Sequence, residues 1–356
     1  MKSAGGQKPS IAGISGIPQR KTVAVSQDLL RTSPLFSGGG LPLLATPVLE
    51  GVDLSAWMSD HRSLVERLLL EHGGILFRGF SLSTPEELER VARALAGDLL
   101  PYTYRSTPRS QVSGEVYTST EYPASQHIPM HNEMSYTRTW PLKIWFLCVQ
   151  TAETGGETPI ADSREVYHRI DPDVRERFSR LGVLYARNYG EGLDLSWQSV
   201  FQTDDKAEVE AFCRDADIGF EWRGMDRLRT RQVCQAVATH PVTGEPVWFN
   251  QAHLFHVSSL EPAVREALLS EFGEHDLPRN AFYGDGAAIE PEVLDHIRST
   301  YEEASVRFPW HRGDLLMLDN MMVAHGRTPF TGARKVLVAM AEAHSPARES
   351  AAGIAP

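Results

Sequence analysis

The sequence is poor in cysteine and carries no excess of basic residues, and these absences exclude several classes of protein. Only three of its 356 residues are cysteine, at positions 148, 213 and 234. Three widely spaced cysteines indicate neither a disulfide framework nor a C-x-x-C metal site, so the expected location is a reducing cytoplasm. The formal net charge is -11, so we expect no nucleic-acid partner.

Long apolar runs are missing as well. No stretch approaches the roughly 18 consecutive apolar residues that a membrane-spanning helix needs, so we expect no membrane association. The beginning of the chain, MKSAGGQKPSIAGISGIPQRK, lacks the continuous apolar segment of a secretory signal. Composition predicts a flexible segment over residues 1–22, one domain over 23–345 and a short tail over 346–356.

Strand and helix patterns alternate along the predicted domain. KIWFLCVQTA (143–152), GDLLMLDN (313–320) and RKVLVAMAE (334–342) have the apolar character of buried strands. Helical spacing of apolar residues recurs between them, with Ser83 and Ser163 as expected N-caps of two helices. Because strands dominate the middle and the end, the pattern favours an α+β chain with a β-sandwich or barrel core.

The segment IPMHNEMSY (128–136) places one histidine two residues before one glutamate. Side chains two apart on a strand point to the same face, so a strand here would present His131 and Glu133 side by side, with Asn132 facing the other way. One imidazole and one carboxylate are two-thirds of the 2-His-1-carboxylate triad of non-heme iron oxygenases. The third ligand must then come from elsewhere in the chain.

A second informative segment, GDLLMLDNMMVAHGRTPFTGARKVLVAM, contains His325, which lies 192 positions after Glu133 (325 minus 133). Arg334 opens the following strand pattern, and an arginine there can hold a carboxylate through two parallel N–H bonds. Thr158, in the segment GGETPI, offers a hydroxyl to the same carboxylate.

These elements, HNE, GGETPIADS, AHGRTPF and the arginine of GARK, resemble in their order the TauD/TfdA superfamily of Fe(II)/2-oxoglutarate-dependent oxygenases. RNYGEGLDLSWQSVFQT and LPRNAFYGDGAAIE resemble its SyrP-like subgroup of nonribosomal-peptide amino-acid hydroxylases. The resemblance covers roughly residues 45–345. It implies a double-stranded β-helix (jelly-roll, cupin-like) core with flanking helices and a lid insertion.

The resemblance also implies roles for individual residues. His131, Glu133 and His325 match the iron ligands and thus the catalytic centre. Arg334 and Thr158 match the residues that hold 2-oxoglutarate. The chain departs from TauD itself in using Glu as the carboxylate ligand and in the shorter spacing from His325 to Arg334, which leaves Arg327 as the alternative arginine.

By the same resemblance, the expected reaction is the hydroxylation of an unactivated C–H bond, at Cβ of an amino acid, with O2 consumed and succinate and CO2 formed. The amino acid is either free or tethered to a peptidyl carrier protein. The ligand motif fits desaturation or another C–H oxidation equally well. A cupin-like metal hydrolase or isomerase, and a metal-retaining scaffold protein, are the rival classes.

Polar residues outside these motifs supply candidates for the substrate site. Arg187 can meet a substrate carboxylate or pair with an acidic residue of the chain. Asn250 and His253 lie in an amide-rich, aromatic segment that we predict to form a substrate wall or lid. His253 and His256 also have helical spacing, which leaves a second metal site as the lesser alternative.

Overall fold

The computed structural model describes residues 29–346 except 105, 108, 191–194 and 225. The predicted flexible segment over 1–22 and the predicted tail after residue 346 lie outside the described residues. No helix in the part of the chain that is described has both the length and the apolar character needed to cross a bilayer.

Strands occur along the whole of the described chain. They are β1 (Leu30–Pro34), β2 (Leu43–Pro47), β3 (Gly74–Phe77), β4 (Gln111–Ser113), β5 (Val116–Thr118), β6 (Ile128–His131), β7 (Trp140–Gln150), β8 (Thr154–Gly155), β9 (Ile160–Asp162), β10 (Val183–Tyr189), β11 (Gly219–Arg223), β12 (Arg227–Cys234), β13 (Val237–Thr239), β14 (Pro246–Trp248), β15 (Arg279–Tyr283), β16 (Ser305–Val306), β17 (Leu315–Asp319), β18 (Val323–Arg327), β19 (Phe330–Thr331) and β20 (Lys335–His344).

Helices lie between these strands and concentrate in two parts of the chain, before β4 and between β9 and β16. They are α1 (Leu54–Asp60), α2 (Arg62–His72), α3 (Pro85–Ala96), α4 (Ser163–Arg169), α5 (Pro172–Leu181), α6 (Trp197–Phe201), α7 (Lys206–Asp215), α8 (Ala252–Phe255), α9 (Pro262–Phe272) and α10 (Pro291–Ala304).

An eight-stranded sheet with the order β1-β2-β3-β17-β7-β20-β5-β4 forms the larger layer. Successive residues of its central strands alternate between its two faces, as the pleat requires. Trp145 and Leu147 of β7 belong to the cluster that packs against α1, α2 and α3. Ile144 and Phe146 belong to the cluster on the opposite face. Both faces are covered, which explains why residues 144–149 of β7 form an unbroken apolar run.

A four-stranded sheet with the order β16-β9-β18-β6 forms the second layer. Ile160 of β9 and Val323 of β18 share one buried cluster with Phe146 and Val338 of the larger sheet. The two sheets therefore enclose a common core, which fits the predicted jelly roll. The two candidate histidine ligands lie on this smaller sheet, because β6 ends at His131 and β18 contains His325.

Residues 163–304 are inserted between β9 and β16, which pair with each other in the smaller sheet. The insertion contains a separate four-stranded sheet with the order β11-β12-β10-β15 and the helices α4 to α10. The resemblance implied a lid insertion without giving its position. That it acts as a lid stays a prediction.

Three local expectations are corrected by the structure. Thr84, one residue after Ser83, caps α3 in a reciprocal capping box with Glu87. Asp162 caps α4 in place of Ser163, because its carboxylate accepts the N–H of Arg164. Glu133 lies in a turn that begins after β6, not on the strand.

Candidate active site

The structure brings His131, Glu133 and His325 together into one group, whose candidate ligand atoms all lie within 4.8 Å of one another. His131 and His325 are directly opposed in the antiparallel pairing of β6 with β18. Oε2 of Glu133 lies 3.9 Å from Nε2 of His325. Two imidazoles and a carboxylate at this spacing fit a divalent metal ion.

The ring of His131 is oriented by its own strand. Its Nδ1 lies 2.8 Å from the carbonyl oxygen of Pro129, and a carbonyl can only accept, so Nδ1 carries the proton. Nε2 is then the nitrogen with a free lone pair, which is the arrangement seen in metal-ligating histidines. Burial lowers the pKa of His131 and lowers that of His325 well below its ordinary value, so both rings favour the neutral form that binds metals.

The turn that carries Glu133 is held by two buried asparagines. Oδ1 of Asn320 accepts the N–H of Glu133 at 2.7 Å, and Nδ2 of Asn320 donates to the carbonyl of Glu133 at 2.9 Å. Asn132 donates to the carbonyl of Asn320 at 2.7 Å and to the hydroxyl of Ser163 at 3.0 Å. Asn132 therefore stabilises the turn, and the turn positions Glu133 next to His131 where a strand was expected to do so.

Glu133 also forms a buried ion pair with Arg109. Nη2 of Arg109 lies 2.6 Å from Oε2 of Glu133, and both side chains are almost completely buried. The guanidinium stacks over the ring of Tyr102, 4.6 Å from its centroid. The sequence did not single out Arg109. It precedes Glu133 by 24 residues in a segment without strand or helix periodicity, so no spacing rule pointed to it.

A pocket that contains a buried arginine adjoins the triad. His131, His325, Thr158 and Arg334 line one pocket. Arg334 donates from Nε to the carbonyl of Gly156 at 2.8 Å and lies within hydrogen-bonding reach of Ser119 and Thr158 through its two terminal nitrogens. Burial lowers the pKa of Arg334 to about 10, which leaves the guanidinium charged near neutral pH.

The glycines of GGETPI allow this close arrangement. Gly155 and Gly156 both have positive φ, the region that glycine adopts without strain. A Cβ at Gly155 would lie 2.1 Å from the carbonyl oxygen of Pro329, and a Cβ at Gly156 would lie 2.9 Å from Cδ of Arg334. The segment can therefore present its backbone to Arg334 only as glycine.

Arg327, the alternative arginine, lines the same pocket but is already bound elsewhere. Its terminal nitrogens donate to the carbonyls of Tyr122, Pro123 and Gln126 at 2.6–2.9 Å. These contacts tie the segment over 122–126 to β18. The geometry thus favours Arg334 over Arg327 as the arginine that faces an anion.

Comparison with known proteins agrees with this geometry. A family model described as "Taurine catabolism dioxygenase TauD, TfdA family" matches residues 40–340. The chain belongs to the TauD/TfdA family. Like its family, it is a 2-oxoglutarate-dependent dioxygenase, with Fe(II), 2-oxoglutarate and O2 as its requirements.

Two relatives match this TauD/TfdA chain over most of their length. The dapdiamide synthesis protein DdaC of Enterobacter agglomerans is 43% identical over 316 residues, which are 89% of this chain and 95% of that protein. A clavaminate synthase-like protein of Arabidopsis thaliana is 31% identical over 91% of this chain and 96% of that protein. Among solved structures, PvcB of Pseudomonas aeruginosa has a TM-score of 0.53 at 18% identity, covering 88% of this chain and 92% of PvcB, which shows a shared fold.

The three predicted substrate residues, Arg187, Asn250 and His253, do not line this pocket. Arg187, on β10, is buried with its guanidinium against the rings of Tyr104 and Tyr189. Its role toward a substrate stays a prediction. Asn250 is fully buried, donates to the carbonyl of Ala236 and accepts the N–H of Ala252. Asn250 thus supports the local backbone, and its role toward a substrate stays a prediction.

His253 contacts the backbone of β6, the strand that ends at His131. Its Nε2 lies 2.9 Å from the carbonyl oxygen of Met130, the residue before His131. His256 instead contacts the hydroxyl of Ser258, so the two imidazoles do not converge on a second metal site. This backbone contact lies next to the triad, and the role of His253 toward a substrate stays a prediction.

Proposed function

We propose that this enzyme hydroxylates an unactivated C–H bond, at Cβ, of an amino acid in the biosynthesis of a secondary metabolite. The juxtaposition of the His131–Glu133–His325 group with Arg334 in one pocket carries the oxygenase part of the proposal. The biosynthetic context is supported by the relative DdaC, whose name assigns that protein to dapdiamide synthesis. The motifs shared with the SyrP-like subgroup support an amino acid as the substrate.

In this proposal His131, Glu133 and His325 would hold Fe(II), as a 2-His-1-carboxylate set does in non-heme iron oxygenases. The bound iron supplies the O2-dependent oxidation of 2-oxoglutarate that is coupled to cleavage of the substrate C–H bond. The protein holds the two imidazoles neutral and fixes the carboxylate through the turn at Asn320. It also shields two of the three ligands from water, since Glu133 and His325 are both buried.

Arg334 and Thr158 hold the distal carboxylate of 2-oxoglutarate. The Nε contact with Gly156 fixes the plane of the guanidinium, and its two terminal nitrogens extend toward Ser119 and Thr158. A planar fork of this kind matches a carboxylate in two parallel hydrogen bonds. Trp310 donates to the hydroxyl of Thr158 at 3.2 Å, which leaves the Thr158 hydroxyl proton for an anion.

The test is a substrate panel with purified enzyme, Fe(II), 2-oxoglutarate, ascorbate and O2. Amino acids are offered free and loaded on peptidyl carrier proteins, and product mass is followed together with succinate. We expect one amino acid, in one of the two forms, to gain one oxygen in step with succinate. The inactive control is His325→Ala.

The other outcomes of the panel are equally informative. The loss of two hydrogens without a gain of oxygen would replace hydroxylation by desaturation. Turnover of a substrate without any need for 2-oxoglutarate would support the hydrolase or isomerase class. Oxygenation of carboxylic acids that lack an amino group, with every amino acid inert, would overturn the substrate class.

A further inference from the structure

Arg109 occupies an unusual place relative to the candidate metal site. Its Nη2 lies 2.6 Å from Oε2 of Glu133, and Arg109 lines the same pocket as His131, His325 and Arg334. A full positive charge is therefore buried one hydrogen bond away from a metal ligand. It also faces the space that we assign to 2-oxoglutarate.

Two effects of Arg109 on metal binding oppose each other. The contact restricts the side chain of Glu133, which favours binding of a metal. The charge of Arg109 repels a dication, which disfavours it. Asn320 already holds the backbone of Glu133, so only a few side-chain torsions remain for Arg109 to restrict.

The charge effect is the larger of the two. The interior of a protein screens charges far less than water does, so a monovalent cation this close to a dication outweighs the entropy of fixing a few torsions. The same charge attracts the dianion 2-oxoglutarate. Removal of the charge should thus change the two affinities in opposite directions.

We propose that Arg109 is a positioning residue that holds the side chain of Glu133 in the metal-free protein. Its positive charge weakens the binding of the divalent metal and strengthens the binding of 2-oxoglutarate. The proposal rests on the assignment of His131, Glu133 and His325 as the metal ligands. In the metal-free state Arg109 is the countercharge of Glu133, and the arriving metal takes over part of that role.

The test measures binding, not turnover, with Mn(II) as the metal probe. The dissociation constant of Mn(II) is determined by calorimetry for the metal-free protein, and that of 2-oxoglutarate for the Mn(II)-loaded protein. In Arg109→Met we expect Mn(II) to bind about tenfold or more tightly and 2-oxoglutarate about tenfold or more weakly. Arg109→Lys, which keeps the charge, should stay within about threefold of the wild type for Mn(II).

Arg229→Met is the matched control, because Arg229 is also a buried arginine paired with an acid, Asp276, but in the insertion. It should lower the thermal midpoint of the metal-free protein without changing either dissociation constant. Arg109→Met should also lower the thermal midpoint of the metal-free protein. Mn(II) should raise the midpoint of Arg109→Met by more than it raises the midpoint of the wild type. If Arg109→Met fails to fold, Arg109→Gln is compared in its place.

Both affinities weakening together in Arg109→Met, or neither changing, would overturn the proposal and leave Arg109 a structural partner of Glu133. The wild-type protein could instead bind no Mn(II), or bind it no more tightly than His131→Ala does. Either result would refute the metal-site assignment on which the proposed function depends. The two failures are thus distinguishable in one set of titrations.

Discussion

Asn320 binds both backbone polar groups of Glu133, accepting its N–H at 2.7 Å and donating to its carbonyl at 2.9 Å. Its Nδ2 also donates to the carbonyl of Pro141 at 2.8 Å. The chain segments before and after the carboxylate are thereby tied to the end of β17. The direction of the Glu133 side chain depends on an amide that is 187 residues away in the sequence.

Replacement of Asn320 should therefore damage both stability and metal binding. Asn320→Leu leaves the N–H and carbonyl of Glu133 and the carbonyl of Pro141 without partners inside the core, so we expect a loss of about 2–4 kcal/mol in the free energy of unfolding. Mn(II) affinity should fall as well. Urea unfolding and Mn(II) calorimetry measure the two effects.

Asn188→Leu is the control, since Asn188 also donates to backbone carbonyls, those of His275 and Leu277, but within the insertion. It should lower stability and leave Mn(II) binding unchanged. Unaltered Mn(II) affinity in Asn320→Leu would contradict the role assigned to the asparagine.

Arg334→Lys should weaken the binding of 2-oxoglutarate to the Mn(II)-loaded protein. Lysine keeps the charge but loses the planar fork, and charge-assisted hydrogen bonds of this kind are worth about 1.5–3 kcal/mol, or roughly 10- to 150-fold in affinity. The effect is read by titration with 2-oxoglutarate in the absence of substrate. Arg327→Lys changes an arginine that binds loop carbonyls and should weaken 2-oxoglutarate by less than about threefold. A larger effect at Arg327 than at Arg334 would reverse the assignment.

Gly156→Ala should weaken 2-oxoglutarate binding through steric contact with Arg334. The added Cβ would lie 2.9 Å from Cδ of Arg334 and 3.0 Å from Cβ of Ala152, which displaces the guanidinium. Gly244→Ala is matched in backbone conformation, with φ of +72° against +73°, and nothing lies within 4 Å of its Cβ. Both variants should lose about 1 kcal/mol of stability, but only Gly156→Ala should bind 2-oxoglutarate more weakly. Equal affinities in the two variants would show that Arg334 tolerates the displacement.

Stability at acid pH should depend on His253. Burial lowers the pKa of His253 to about 3, whereas an unfolded histidine titrates near 6.5. Between these values the unfolded chain binds the extra proton, so the free energy of unfolding falls as the pH decreases from about 6.5, by up to about 1.4 kcal/mol per pH unit for one group. Above that range the contribution is constant.

His253→Gln keeps a donor for the carbonyl of Met130 and removes the titrating group. Urea unfolding of the metal-free protein between about pH 4 and 6 gives the slope of the unfolding free energy against pH. In His253→Gln this slope should be lower than in the wild type by the contribution of about one proton. Identical slopes would mean that His253 is protonated in the folded protein across this range.

Much of the site was predictable from the sequence because its chemistry depends on residue types at short spacings. The pair at 131 and 133, the distal His325 and Arg334, which directly precedes β20, are each recognisable within a few neighbouring residues. The fold brings them together. Arg109 and Asn320 were missed for a common reason. Each acts through a contact with Glu133 that only the folded chain creates, and neither has a local pattern of its own.

Much of the fold was also predictable, and the errors again concern features that only the folded chain decides. Apolar runs in the sequence located β7, β17 and β20, because a strand that is buried on both faces is apolar at successive positions. The helix caps were missed by one residue, because Ser83 and Thr84, or Asp162 and Ser163, have nearly equal capping propensity and backbone geometry decides between them. Asn250 and His253 were predicted to contact substrate from their polarity. Both satisfy buried backbone groups in the structure, and their role toward a substrate stays a prediction.

The most direct test of the central claim is the fate of oxygen from labelled O2 in a turnover with the amino acid that the panel identifies. The account predicts one labelled atom in succinate and one in the hydroxylated amino acid, both abolished in His325→Ala. Oxygenated product formed without 2-oxoglutarate, or labelled succinate formed while the amino acid gains no oxygen, would contradict it.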